Sequence, residues 1–297
     1  MPDQPETMIE IAGGGLSAGI TALGAELHYL RDAEGRDLLW DGDPAFWTGR
    51  APLLFPIVGG LNRDSYHLDG ETYHLAKHGF ARRSRFSVAG QTADHVIFRL
   101  EADAETRAVY PFDFRLDVRF TLHDGALTVT ATVANRGDTP MPASFGFHPA
   151  LRWPLPYGQP RDIHRIHFAR PEPAPIRRLD GDGLVSPTPR PTPIEGDVLP
   201  LADALFTDDA IILDTPASRA VTYGAPAGPQ LAIDFPDMPM LGIWTKPGAG
   251  YICIEPWHGI ADPAGFLGDI FAKPGILTFA PGEENAFTMH IALQKPG

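Results

Sequence analysis

The sequence predicts an all-β fold, and three observations predict it. Apolar and polar residues alternate with period two in one segment after another, the pattern of strands with one buried face. The 31 glycines and 31 prolines are spread along the 297 residues between short apolar runs, which suits many strands joined by tight turns. Sustained 3.6-residue periodicity is scarce, so long helices are not expected. All-β chains of this length commonly fold as one domain. With no internal repeat and no low-complexity linker in the sequence, residues 1–297 are expected to form a single domain.

Taken in order, Met8 to Ile11, the alternating stretch near Ile20 to Leu30, and Leu38 to Trp40 read as two or three strands. Ala51 to Gly60 is an apolar run broken by Pro52 and Pro56 and closed by Gly59 and Gly60. The prolines keep it out of a central ladder, and the glycines permit close approach of backbone or ligand. Tyr66 to His74 forms a hairpin around Asp69-Gly70 and delivers the chain to Lys77-His-Gly-Phe-Ala-Arg82. A strand follows at His95 to Leu100. Phe114, Leu116, Val118, Phe120 and Leu122 alternate with Arg115, Asp117, Arg119 and Thr121, and Leu127 to Val133 repeats the pattern after the turn Asp124-Gly125.

The chain then reaches Ser144-Phe-Gly-Phe-His-Pro149, which sets one imidazole between aromatics and a proline where a sheet's inner face opens to solvent. From Trp153 to Pro200 the sequence is rich in proline and charge and reads as a long excursion over one face. Alternation returns at Ala210 to Leu213, Ala220 to Tyr223, Gln230 to Phe235, Leu241 to Thr245, Tyr251 to Glu255, and finally around Phe287 to Leu293.

A net charge of −13 argues against a nucleic-acid or anionic-membrane partner, which would need a basic surface. It suits a neutral small ligand. Met1 to Met8 lacks the basic start and apolar core of a signal peptide, and no run of about 18 apolar residues is present for a membrane span. Cys253 is the single cysteine, so no internal disulfide forms, and a cytoplasmic location is expected. The chain is expected to be a monomer or a homodimer.

Three sites carry groups fit for proton transfer. His148 lies in the segment just described, and His78 stands at a second strand exit. A lone histidine among apolar residues is usually a satisfied core or rim residue, so neither carries the argument alone. In Tyr251-Ile-Cys-Ile-Glu-Pro-Trp257, Ile252 and Ile254 share one face while Tyr251, Cys253 and Glu255 share the other, and Pro256 is expected to stop the ladder. A carboxylate placed there is paired with an arginine, costly, or functional. Two histidines and one carboxylate make an acid and base set that needs no metal. His67, His74 and His78 near one hairpin, and His164 with His167, are candidate ligand groups, but nothing in their spacing gives the geometry a metal needs; neither metal nor cofactor is expected.

The phrases Leu54-Phe-Pro-Ile-Val-Gly59, Lys77-His-Gly-Phe-Ala-Arg82, Tyr110-Pro-Phe112, Ser144-Phe-Gly-Phe-His-Pro149, Ile254-Glu-Pro-Trp257 and Ala280-Pro-Gly-Glu283 occur in this order over most of the chain. Together they resemble the aldose 1-epimerase (galactose mutarotase) superfamily and, within it, the LacX-like branch. The resemblance implies a galactose mutarotase-like β-sandwich, or supersandwich, with a sugar bound in a cleft on one concave sheet. It implies Glu255 as catalytic base, His148 as general acid, and His78 as the histidine that holds the sugar near its anomeric centre. It also implies an aspartate for sugar hydroxyls, and in Leu205 to Leu213 Asp209 is preferred to Asp208.

Many members of that family carry arginine directly after the Val-Gly pair, where this chain has Gly60. Arg82 or Arg63 is expected to supply the missing donor, since a guanidinium offers a fork of hydrogen bonds. Trp244 and Trp257 are candidates for the apolar face of a sugar, with core packing as the competing role. The implied activity is interconversion of the α and β forms of a free aldose. Three alternatives stay open: a binding or sensing protein that has lost turnover, a hexose-phosphate substrate held by a cluster of Arg82, Arg83 and Arg85, and a glycoside hydrolase pairing Glu255 with Asp208 or Asp209.

Overall fold

The computed structural model describes residues 8–294. Residues 1–7, read above for a signal peptide, and residues 295–297 lie outside the described part. Two antiparallel sheets dominate. The larger has nine strands in the order Val198–Pro200, Arg165–Phe168, Ala220–Gly224, Gln230–Asp234, Glu284–Gln294, Ala126–Asn135, Phe114–His123, His95–Glu101 and Ser87–Gln91. The smaller has six: Ile211–Leu213, Met240–Trp244, Tyr251–His258, Phe145–Phe147 and Leu53–Leu54 in order, with Ala150–Arg152 also paired to Tyr251–His258. The strands Met8–Gly13, Leu16–Thr21 and Leu27–Arg31 form a separate three-stranded sheet. Among the described residues the one α-helix is Ala104–Val109, started by a capping box between Asp103 and Thr106, and no helix is long and apolar enough to cross a membrane.

Period-two patterning decides how the sheets meet. Along Phe114–His123 the apolar residues are buried and the polar ones are not, and the turn at Asp124-Gly125 has both residues at positive φ, +46° and +75°, as a two-residue hairpin of matching twist requires. The buried face of this hairpin packs with Phe145, Phe147, Ile252 and Ile254 of the smaller sheet in one core. The Phe145 and Phe287 rings stack across the interface with centroids 5.3 Å apart. The result is a sandwich with one shared core, and the outer face of the smaller sheet carries buried clusters of its own around Trp257 and around Tyr251 and Cys253.

Two expectations for single elements need correction. Leu38 to Trp40 makes only isolated bridges, with the Leu38 N–H donating to Leu30 and the Trp40 N–H to Ala150, because the segment is pinned between two different partners. Pro256 does not stop its strand: the ladder runs on to His258, since Met240 pairs with Trp257 on one side and Gly146 with Trp257 on the other. The irregular stretch after Trp153 also contains the strands Arg165–Phe168 and Val198–Pro200, which are too short to show alternation.

Candidate active site

The site grows out of strand Tyr251–His258. Its residues alternate between the shared core and the outer face, so Tyr251, Cys253, Glu255 and Trp257 all point outward. On one flank Phe145 is paired with His258 and Ala150 with Cys253; the same antiparallel register sets His148 directly opposite Glu255. His148 and Pro149 interrupt that flank between its two short strands, leaving a long contact from the Ile254 N–H to the Pro149 carbonyl at 3.4 Å. On the other flank Gly242 faces Glu255. The carboxylate therefore has one side-chain neighbour across the sheet, an imidazole, with His148 Nε2 3.1 Å from Glu255 Oε2. Among the described residues no arginine is paired with it; its one close charged-type partner is His148.

His78 is held by a two-way clamp. Its N–H donates to the Gly59 carbonyl at 2.8 Å, and the Gly59 N–H donates to His78 Nδ1 at 3.0 Å. Since Nδ1 accepts, the neutral ring carries its proton on Nε2. The clamp needs His78 at φ +69°, a conformation uncommon for a residue with a side chain. It also needs a glycine at 59, where φ is +75° and a Cβ would lie 2.5 Å from Ala261. The His78 and His148 rings stand perpendicular, centroids 5.8 Å apart.

These groups line a cavity of about 210 Å³ together with Trp47, Gly59, Lys77, Arg82, Leu179, Asp209, Ile212, Trp244 and Trp257. Of the expected side chains, Glu255, His148, His78, Arg82, Asp209, Trp244 and Trp257 line it. Asp209 lines it rather than Asp208, and Arg82 rather than Arg83 or Arg85. Arg63 faces a second cavity beside Tyr66, His67 and Lys273, because its own backbone turns through φ +58°; it is not the substitute donor. A Cβ on Gly60 would meet the Gly183 carbonyl of the excursion at 3.4 Å, an ordinary contact, so a side chain begun there would run along the excursion.

That excursion forms one wall of the cleft. The Arg177 N–H donates to the Ile212 carbonyl at 2.8 Å and the Ile212 N–H to the Arg177 carbonyl at 3.2 Å, which extends the smaller sheet by one segment and sets Leu179 over the cavity. The Arg178 guanidinium donates to the carbonyls of Asp209 and Leu205, fixing the turn that carries Asp209. Trp257 has a fitted seat on the opposite side: a Cβ on Gly242 would lie 2.5 Å from its indole, and one on Gly146 2.8 Å from it. Trp47, Trp244 and Tyr251 complete an aromatic corner around His148, with Trp47 and His148 centroids 5.0 Å apart.

Burial sets the electrostatics. Glu255 is 1 % exposed and His148 8 %. Burial pushes the Glu255 carboxyl well above its ordinary range, opposed by the positive charge of Lys77 and reinforced by Asp209. Burial pulls His148 down to about 3, and pulls His78 well below 6.5 with help from His148, Lys77 and Arg82. Removal from water disfavours every charged form here. Burial thus favours a neutral carboxyl beside a neutral imidazole. Glu255 Oε2 and His148 Nδ1 have no aligned hydrogen-bond partner; the 3.1 Å contact is close but off the donor line.

Trp47, Lys77, Leu179 and Ile212 are lining residues that the sequence reading passed over. Lys77 adjoins His78 in a phrase already singled out, and that adjacency was the available signal; Trp47 and Leu179 come from segments without periodicity. The histidine groups around the Tyr66–His74 hairpin and at His164 and His167 do not assemble as ligand sets. Among the described residues the group able to hold a metal ion is His148, Cys253 and Glu255, whose ligand atoms all lie within 4.8 Å of one another.

The sequence profile of a family described as aldose 1-epimerase matches residues 7–291. The chromosomal and plasmid forms of Protein LacX from Lactococcus lactis subsp. lactis are each 32 % identical over 263 residues, covering 85 % of this chain and 88 % of theirs. The crystal structure of a galactose mutarotase-like protein from Lactobacillus casei superposes with a TM-score of 0.89 at 32 % identity, over 97 % of this chain and 100 % of that one. A galactose mutarotase related enzyme from Lactobacillus acidophilus gives 0.89 at 30 % identity, over 97 % and 98 %. A galactose 1-epimerase from the same species shares the fold, with a TM-score of 0.72 at 14 % identity, over 100 % of this chain and 97 % of that one.

Proposed function

Because the chain belongs to the aldose 1-epimerase family, we propose that it is an aldose 1-epimerase, an isomerase that interconverts the α and β anomers of a free aldose by acid–base ring opening and reclosure. The observation that carries this reading is the His148–Glu255 pair, 3.1 Å apart at the floor of a small cleft. Ring opening removes a proton from the anomeric hydroxyl and gives one to the ring oxygen; rotation about the bond joining the first two carbons and closure on the other face reverse both transfers. Two groups that hold one proton between them can do this, with no nucleophile or cofactor.

A carboxylate with an imidazolium and a neutral carboxyl with a neutral imidazole hold the same number of protons. They differ by one transfer across the pair. The neutral allocation favoured by burial exchanges donor and acceptor relative to the expected one, and a cycle that must run in both directions uses each group in both roles. Lys77, whose charge lowers Glu255, favours the carboxylate once a sugar replaces solvent in the cleft.

In this reading His78 presents its Nε2 proton to a sugar oxygen near the anomeric centre. Arg82 and Asp209 bind ring hydroxyls as donor and acceptor, and Trp244, Trp257 and Trp47 take the apolar faces. Arg82 and Lys77 on the lining favour a hexose phosphate as the second reading. The enzyme is proposed to act as a single-domain monomer or homodimer in the cytoplasm, its one cysteine buried and unpaired. The test is polarimetry or NMR of freshly dissolved α-galactose, α-glucose and glucose 6-phosphate with and without the protein. If none equilibrates faster than in buffer, the enzyme reading fails and a binding role remains.

A further inference from the structure

We propose that His148, Cys253 and Glu255 form an inhibitory site for a thiophilic divalent cation of the zinc class at the floor of the cleft. Binding of the ion stands on the geometry of the three side chains alone. Its inhibitory effect rests on the epimerase reading.

The ligand set is fixed by the sheet. Cys253 and Glu255 are two residues apart on one face of strand Tyr251–His258, and His148 stands across from Glu255 in the register set by the Ala150–Cys253 pair. Their ligand atoms lie within 4.8 Å of one another. An ion bound at about 2.0 to 2.3 Å from nitrogen, oxygen and sulfur brings its donors to roughly 3 to 4 Å apart, so binding requires the three side chains to draw together slightly. Glu255 Oε2 has no hydrogen-bond partner in a residue that is 1 % exposed and lies 3.1 Å from His148 Nε2, so the site holds a buried carboxylate oxygen with unused capacity.

Charge and softness select the ion. A thiolate and a carboxylate around a divalent cation, with a neutral imidazole, leave no net charge in a dry site; a monovalent or trivalent ion leaves one. Thiolate with imidazole favours zinc, cobalt or copper over magnesium or calcium, which prefer oxygen ligands. Three protein ligands leave one position of a tetrahedral ion open, and two of the three, His148 and Glu255, line the cavity. Binding forms metal–sulfur, metal–nitrogen and metal–oxygen bonds with loss of the thiol proton and of any proton the His148–Glu255 pair holds; no electrons move. The ion occupies the two groups that the anomeric cycle uses, so ion and turnover exclude each other.

Cobalt(II) chloride titrated into the EDTA-treated, desalted protein tests the site. The expected result is visible d–d bands of tetrahedral cobalt with a thiolate-to-cobalt charge-transfer band at one ion per chain. Cys253 is the only cysteine, so that band reports this site. Cys253→Ser and Cys253→Ala, checked for folding by circular dichroism, are expected to lose it, and zinc is expected to displace cobalt. In the anomerisation assay zinc inhibits the wild-type protein, EDTA restores it, and Cys253→Ser needs at least about tenfold more zinc. Absence of the charge-transfer band at saturating cobalt overturns the site whatever the activity. Equal zinc inhibition of the wild-type protein and Cys253→Ser overturns the inhibitory role. A charge-transfer band in a protein that anomerises no sugar keeps the site and sinks the epimerase reading.

Discussion

His148 and Glu255 face each other across adjacent strands, Nε2 3.1 Å from Oε2, on an outer face where every neighbouring side chain is aromatic, apolar or part of the cleft. Their opposition is a matter of strand register. Any change that moves strand Phe145–Phe147 or Ala150–Arg152 by one residue separates them and turns the side chains to the other face.

Glu255→Gln keeps the shape and removes the proton exchange. The expected outcome is a fall in kcat of about 10²- to 10⁴-fold with KM changed only a few-fold, measured by NMR exchange between anomers. Undiminished kcat would remove Glu255 from the mechanism.

The same substitution has a stability signature. Native Glu255 stays protonated at pH values above 4.5 where the unfolded chain has released the proton, so the native state binds more protons and stability falls as pH rises through that window. His148 acts oppositely. Between about 3 and 6.5 the unfolded chain binds a proton at this residue that the native state does not, so its contribution to stability rises with pH and levels off above 6.5. Glu255→Gln should therefore gain stability relative to the wild-type protein as pH rises above about 4.5, by at most about 1.4 kcal/mol per pH unit. His148→Asn should gain most at low pH and little above neutrality. Thermal unfolding across this range checks both signs.

Gly242→Ala tests the seat of Trp257. The new Cβ would sit 2.5 Å from the indole, so the ring must leave its place at a cost of about 1–3 kcal/mol. Sugar affinity, read by intrinsic fluorescence titration, is expected to fall by roughly an order of magnitude, consistent with loss of about 1.4 kcal/mol. Unchanged affinity would show that Trp257 does not touch the sugar.

Behind the cleft, Lys273 Nζ and Asp262 Oδ1 form an ion pair at 2.6 Å, 1 % and 3 % exposed. Asp262 also accepts the Asn62 N–H, donates its own N–H to Gly60, and accepts the Val185 N–H, tying the loop that clamps His78 to the excursion. Lys273→Met leaves a buried carboxylate unpaired and is expected to cost about 3–5 kcal/mol. The double variant Lys273→Met with Asp262→Asn should recover part of that loss. Guanidinium unfolding of the three proteins decides it.

Much of the site was legible because its key residues lie on or beside period-two strands whose order and facing the sequence displays. Glu255 shares a face with Cys253 by alternation alone, and the glycines flanking His78 mark a tight approach. Trp47 and Leu179 were not legible, because they reach the cavity from irregular segments placed by long-range packing. Arg63 failed for a local reason, a left-handed backbone that turns its side chain to another cavity. Pro256 was read as a stop because proline lacks a donor, yet a strand paired on both sides tolerates one missing hydrogen bond.

The segment that carries Leu179 has a second consequence. Ile211–Leu213 is the terminal strand of the smaller sheet, short, wholly buried and made of Ile-Ile-Leu, the composition most prone to recruit a strand from another molecule. By bonding to Ile212 from both directions, Arg177 takes up the hydrogen-bonding groups that a foreign strand would use. The wall of the cleft thus also protects the chain against self-association along that edge, and shortening it would endanger solubility before it altered chemistry.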